Sequence, residues 1–154
     1  MIDAATGKMK RYWGAYGKKP DDAVDNSPYD PAAPVAQQFR NPVHCADVSA
    51  DNLVYVCDRT SNRVQVFKVD GTFVNEVYVQ RDTRGDGAAF DVAFSRDPQQ
   101  RYLYVADGIN NRVYIVLRDT LEVLTSFGDG GRQPSQFYGV HSIATDSKGN
   151  VYTT

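Results

Sequence analysis

Val54-Tyr55-Val56-Cys57-Asp58-Arg59-Thr60-Ser61-Asn62-Arg63-Val64-Gln65-Val66-Phe67 reappears without a gap, 49 residues on (54 to 103), as Leu103-Tyr104-Val105-Ala106-Asp107-Gly108-Ile109-Asn110-Asn111-Arg112-Val113-Tyr114-Ile115-Val116. A third copy begins at Val140-His141-Ser142-Ile143-Ala144-Thr145-Asp146 and runs on through Gly149-Asn150-Val151-Tyr152. Near the start of the chain, Ile2-Asp3-Ala4-Ala5-Thr6-Gly7-Lys8-Met9 resembles Phe67-Lys68-Val69-Asp70-Gly71-Thr72-Phe73, the closing half of the same unit. Self-similarity at a fixed period of this size marks a repeat architecture, so the unit has to be read before any single element.

Within one unit, short β-branched and aromatic runs alternate with turn residues, and no 3.6-residue periodicity is present. The first complete unit reads as four strands near Cys45 to Ser49, Leu53 to Cys57, Arg63 to Val69 and Phe73 to Val79. Its turns are Ala50-Asp51-Asn52, Asp58 to Asn62, and Asp70-Gly71, where glycine takes a positive φ at no steric cost. A four-stranded antiparallel meander repeated every 40 to 50 residues is the signature of a β-propeller blade. The expected organisation is the outer strands of a truncated blade in 1–16, an inter-blade loop in 17–38, full blades in 39–80 and 87–128, and the inner strands of a further blade in 137–154. About three blades cannot close a ring, which takes 4 to 8. The chain therefore reads as half of a six-bladed wheel, either a piece of a longer protein or one of two copies joined head to tail.

The composition is that of an ordinary globular chain: 154 residues, 42% hydrophobic and 23% charged. Seventeen Lys and Arg against nineteen Asp and Glu leave a net charge of −2, which argues against nucleic acid as a partner, a basic patch around Arg81, Arg84 and Arg101 aside. No apolar run is longer than the five residues of Val113 to Leu117, so no membrane span is expected. Met1-Ile2-Asp3 shows no secretory leader, and the compartment is extracellular or periplasmic only if the full-length protein carries one. Cys45 and Cys57 are read as free, buried thiols, although a turn at Asp51-Asn52 would bring the two neighbourhoods together on paired strands. Segment 17–36 holds Pro20, Pro28, Pro31 and Pro34 with Asp21, Asp22, Asp25 and Asp30, and reads as an inserted loop, with an acidic calcium loop as the sharper alternative.

Both histidines stand at one phase of the repeat: His44 lies eleven residues before Tyr55 and His141 eleven before Tyr152, while the intervening unit carries Asp91, Val92 and Ala93 in that region. In a six-bladed wheel, alternate blades point to the hub at threefold intervals, and imidazoles converging there would leave an open metal position. Arg59, in the turn beside that entrance, could hold a carboxylate; its counterpart is Gly108. The bland alternatives are a capped interface histidine and a solvated turn arginine. The repeated Asp58 and Asp107, Asn62 and Asn111, and Arg63 and Arg112 read as blade-fixing residues, and Trp13 and Phe127 as inter-blade packing.

The Val-Tyr-Val-x-Asp and Asn-Arg-Val-x-Val-Phe runs resemble NHL repeats over nearly all of the chain except 17–36. Val43-His44-Cys45-Ala46, Val56-Cys57-Asp58-Arg59 and Arg63-Val64-Gln65-Val66-Phe67 further resemble the catalytic domain of the peptidyl-α-hydroxyglycine α-amidating lyases. That resemblance implies an all-β, NHL-type propeller with a channel zinc held by three histidines from alternate blades, and a structural calcium. His44 and His141 match two metal-ligand positions and Arg59 a catalytic, substrate-facing arginine. The third histidine, the tyrosine base and a second arginine belong to blades outside this sequence. The implied substrate is a peptide or small carboxylate of the hydroxyglycine type, cleaved to an amide and glyoxylate. The alternative is a non-catalytic propeller whose loops grip a protein or peptide.

Overall fold

The two gapless copies form two four-stranded antiparallel meanders in the structure, a computed structural model that describes residues 1–23 and 27–154. The first sheet runs β1 (Val43–Val48), β2 (Leu53–Asp58), β3 (Arg63–Lys68) and β4 (Phe73–Tyr78). The second runs β5 (Asp91–Phe94), β6 (Tyr102–Asp107), β7 (Arg112–Leu117) and β8 (Glu122–Phe127). The third copy supplies an antiparallel pair, β9 (Ile143–Thr145) and β10 (Val151–Thr153). Residues 1–12 contribute an isolated bridge between Ile2 and Met9. Among the described residues no helix is long and apolar enough to cross a membrane.

Alternation within the strands decides what each face buries. Tyr55, Cys57, Val64, Val66, Val77 and Val79 of the first sheet pack against Val92, Phe94, Leu103, Val105 and Val116 of the second. Ala93, Ala106 and Val113, on the second sheet's other face, meet Val140, Ile143, Phe137 and Val151. The middle sheet is thus covered on both faces, which is why Leu103, Val105 and Ala106 on β6 are all inaccessible. Full burial of one such side chain is worth about 1.5–3 kcal/mol, so these two interfaces carry most of the drive to stack the sheets. The sheets meet most extensively along the first strand of each, β1 against β5 and β5 against β9.

The repeated polar residues serve the frame, as expected. Asn62 and Asn111 take φ of +58° and +55° at the turn after the second strand, a conformation asparagine tolerates. Arg63 is fully buried: its Nε donates to Asp58 Oδ2 at 2.8 Å, Nη1 to the Tyr16 hydroxyl at 2.7 Å and Nη2 to the Ala36 carbonyl at 3.0 Å. One guanidinium therefore ties the N-terminal segment and the 27–40 loop to β3. Trp13 packs on Phe67 at 5.9 Å and lies against Gly71, where φ is +93° and a Cβ would meet the indole at 3.0 Å. Phe127 packs on Phe137 at 6.3 Å.

Cys45 and Cys57 are not free thiols. Register places Cys45 opposite Cys57 with a Cα separation of 4.8 Å, and the two are joined in a disulfide. An antiparallel pair brings facing Cα atoms to about 4.5–5.5 Å, inside the range a disulfide spans, so pairing follows once the hairpin forms. The expectation of free thiols weighed residue type over register.

Candidate functional site

His44 stands where the ladder slips. Val43 pairs with Asp58 and Cys45 with Cys57, leaving His44 as the extra residue of a β-bulge at the entrance to β1. Bulges turn a side chain out of the regular alternation. The His44 ring comes to lie 4.8 Å from the His141 ring, centroid to centroid, at 63°. The two histidines that share a repeat phase therefore meet at the inner edge of the stacked sheets.

The structure changes which residue of the middle unit is their equivalent. The turn between the first two strands is closed in the first unit by Leu53 N–H on Ser49 Oγ, four residues apart, and in the third by Asn150 N–H on Asp146 Oδ1, also four apart. In the middle unit Tyr102 N–H reaches Ser95 Oγ across seven. Three additional residues in that turn move the equivalent of His44 and His141 from Ala93 to Phe90. Backbone pairing agrees: Phe90 N–H donates to the Ala106 carbonyl at 2.9 Å as His141 N–H donates to the Thr154 carbonyl at 2.7 Å. Phe90 completes the cluster, 5.3 Å from the His44 ring and 5.6 Å from that of His141.

His44 Nδ1 lies 2.7 Å from the Phe90 carbonyl. A carbonyl can only accept, so Nδ1 carries the proton, which leaves Nε2 as the nitrogen through which this ring would ligate a metal. An ion about 2.0–2.1 Å from a histidine nitrogen sits roughly 3.2 Å from the ring centre, so two rings at 4.8 Å can share one ion. Two imidazoles are an incomplete set, and among the described residues no group of three or more His, Cys, Asp or Glu gathers to hold a metal.

Arg59 is neither fully solvated nor fully committed. Its guanidinium carbon lies over the Phe90 ring at 5.0 Å, Nη2 pairs with Asp86 at 3.2 Å, and its side chain is 16% exposed. Nε is buried with no hydrogen-bond partner among the described residues. The turn that carries it is clamped by the 81–87 loop, since a Cβ on Gly87 would fall 2.0 Å from the Arg59 carbonyl oxygen. Arg59, His44 and His141 are thus all in contact with one phenyl ring.

Other expected groups have local partners. Asp21 and Asp30 accept the backbone N–H of Ala23 and Ala32 in local turns, and Asp25 of the candidate calcium loop lies outside the described residues. Arg81 stacks on Tyr78 at the end of β4 and Arg101 on Tyr102 at the start of β6. The 27–40 loop closes a cleft of about 300 Å³ with Arg63, Tyr78 and Arg81.

The fold and site define an all-β, propeller-like protein of stacked four-stranded antiparallel sheets. No protein-family model and no curated protein sequence matches the chain. Among solved structures it is similar to the hydrazine synthase of Kuenenia stuttgartiensis, with a TM-score of 0.59 and 16% identity. The match covers 82% of this chain and 32% of that one, so the chain spans about a third of its neighbour's length. At that identity the likeness is one of fold.

Proposed function

We propose that the chain forms part of an NHL-type, six-bladed propeller whose hub binds a divalent metal, with zinc the ion that suits two imidazoles, beside a site for a small carboxylate or the end of a peptide. The convergence of His44 and His141 at 4.8 Å, with His44 Nδ1 held by the Phe90 carbonyl so that Nε2 is the nitrogen left to ligate, carries this reading. The two rings would hold the ion, and a third ligand would come from another blade or a second copy joined head to tail. A bound ion of this kind supplies Lewis-acid polarisation of an oxygen on the substrate. Arg59, anchored by Phe90 and Asp86, would grip the carboxylate and orient it. This combination suits lyase chemistry on a hydroxyglycine-type carboxylate. A structural calcium remains part of the resemblance.

Metal analysis of the intact protein tests it: wild type should carry about one divalent ion per site, and the double variant His44→Ala, His141→Ala should lose it. Wild-type zinc content in the double variant ends the reading. A second reading, a peptide-gripping propeller without chemistry, is favoured by one observation. Tyr138 is 81% exposed with the Arg132 guanidinium over its ring at 5.2 Å, and both residue types are enriched where binding surfaces concentrate their energy.

A further inference from the structure

Phe90 holds the repeat position that His44 and His141 hold in their own units, yet it is 7% exposed and touches every candidate group at the hub edge. Its ring meets the two imidazoles at 5.3 and 5.6 Å and lies beneath the Arg59 guanidinium at 5.0 Å. Its carbonyl takes the His44 Nδ1 proton at 2.7 Å. Room for the ring comes from Gly108, where a Cβ would stand 2.9 Å from two ring carbons. Gly108 is the counterpart of Arg59, so the middle unit lacks both candidate side chains and places one phenyl ring among those of its neighbours.

We propose that Phe90 is a positioning residue that holds His44, His141 and Arg59 as one preorganised group, an inference that rests on the reading of those three as the site. The electron-rich face of the ring attracts the guanidinium, edge contacts fix the imidazole planes, and the buried ring keeps water from beneath them. The carbonyl selects the tautomer, a role whose loss costs metal sites about 10–100-fold in affinity.

The test uses the full chain and two readouts: imidazole ¹H–¹⁵N spectra, which report the His44 tautomer with no metal present, and calorimetric titration with zinc. Phe90→Leu keeps an apolar side chain without a flat face. Gly108→Ala displaces the ring from the opposite side and decides the matter should Phe90→Leu fail to fold. Both variants keep the Phe90 carbonyl but lose the ring contacts that hold His44 against it, so each folded variant should mix the His44 tautomers and bind zinc about 10–100-fold more weakly. A fixed Nδ1–H tautomer with unchanged zinc affinity in a folded variant overturns the positioning role. A wild type that takes no zinc but shows the fixed tautomer, lost in both variants, overturns the metal reading and upholds Phe90.

Discussion

In the first sheet Arg63 is inaccessible and paired with Asp58, whereas the matching Arg112 of the second sheet is half-buried and makes no ion pair among the described residues. Asp107, the counterpart of Asp58, turns to the backbone N–H and side chain of Asn110 at 2.9 and 2.8 Å. A similar divergence holds on the innermost strands. Cys45 closes onto Cys57 within its own sheet, while Asp91 at the equivalent place accepts Ser142 Oγ at 2.7 Å and Ile143 N–H at 3.0 Å from the next unit. One sheet is stapled to itself and the other to its neighbour. Repeat positions with identical backbone roles can therefore be spent on internal rigidity or on stacking, and the candidate site lies where the two strategies meet.

The contrast breaks most visibly at the arginines. Burial pushes the Asp58 carboxyl above its ordinary value, against the pull of the Arg63 guanidinium. Arg63→Met leaves that carboxyl buried without its partner and should cost about 3–5 kcal/mol of unfolding free energy. Arg112→Met should cost about 1 kcal/mol or less, as a side chain without such a partner does. Urea midpoints of the two variants check this, and equal losses would erase the distinction between the sheets.

The staple on the innermost strand comes next. Closing a loop of 12 residues, the Cys45–Cys57 bridge should contribute about 3 kcal/mol on the loop-entropy estimate. Reduction should lower the denaturation midpoint accordingly and loosen the bulge at His44, weakening zinc binding as well as stability. Cys45→Ala with Cys57→Ala reproduces both effects if the bridge pins the bulge; a stability loss with unchanged zinc affinity would separate the staple from the site.

A smaller effect separates Arg59 from Gly108. A hydrogen bond to a charged group is worth about 1.5–3 kcal/mol, so Arg59→Gln should weaken binding of glyoxylate or acetate by about tenfold or more. Calorimetric titration of wild type and variant with either carboxylate reads it directly. Affinity unchanged by the substitution would return Arg59 to a purely structural place between Phe90 and Asp86.

Much of this was legible before any coordinates. The gapless repeat located all four strands of the first sheet to within two residues, because Val, Tyr and Ile alternation and the Asn and Gly turns act locally. The histidine phase was legible too, since the first and third turns have equal length. Phe90 was not, because three additional residues between Ser95 and Tyr102 displace it from a count made along the chain. The bulge at His44 and the pairing of Cys45 with Cys57 depend on register, which short strands leave unstated until the sheet is assembled. The stacking of Arg59 on Phe90 joins two units and has no signal within either one.

The turn after the first strand offers the mildest way to sharpen the comparison. Ser49 and Ser95 close it with a hydroxyl, and Asp146 closes it in the third unit with a carboxylate that takes Asn150 Nδ2 and N–H, the Tyr152 hydroxyl and Lys148 N–H. Those donors, the Asn150 side chain foremost, hold the Asp146 carboxyl down at about 2 against an ordinary 3.8. A carboxyl depressed in the folded state contributes its stabilisation in full above the ordinary value and loses it as pH falls toward the folded one. The β9–β10 hairpin should therefore begin to fray as pH drops below about 4 and be released near 2, seen as faster amide exchange at Lys148 and Asn150. Asp146→Ser gives this turn the chemistry of the other two and should flatten that response. Persistence of the same acid transition in Asp146→Ser would place its origin in another carboxyl, Asp51 and Asp97 being the nearest in kind because each is held low in its own turn.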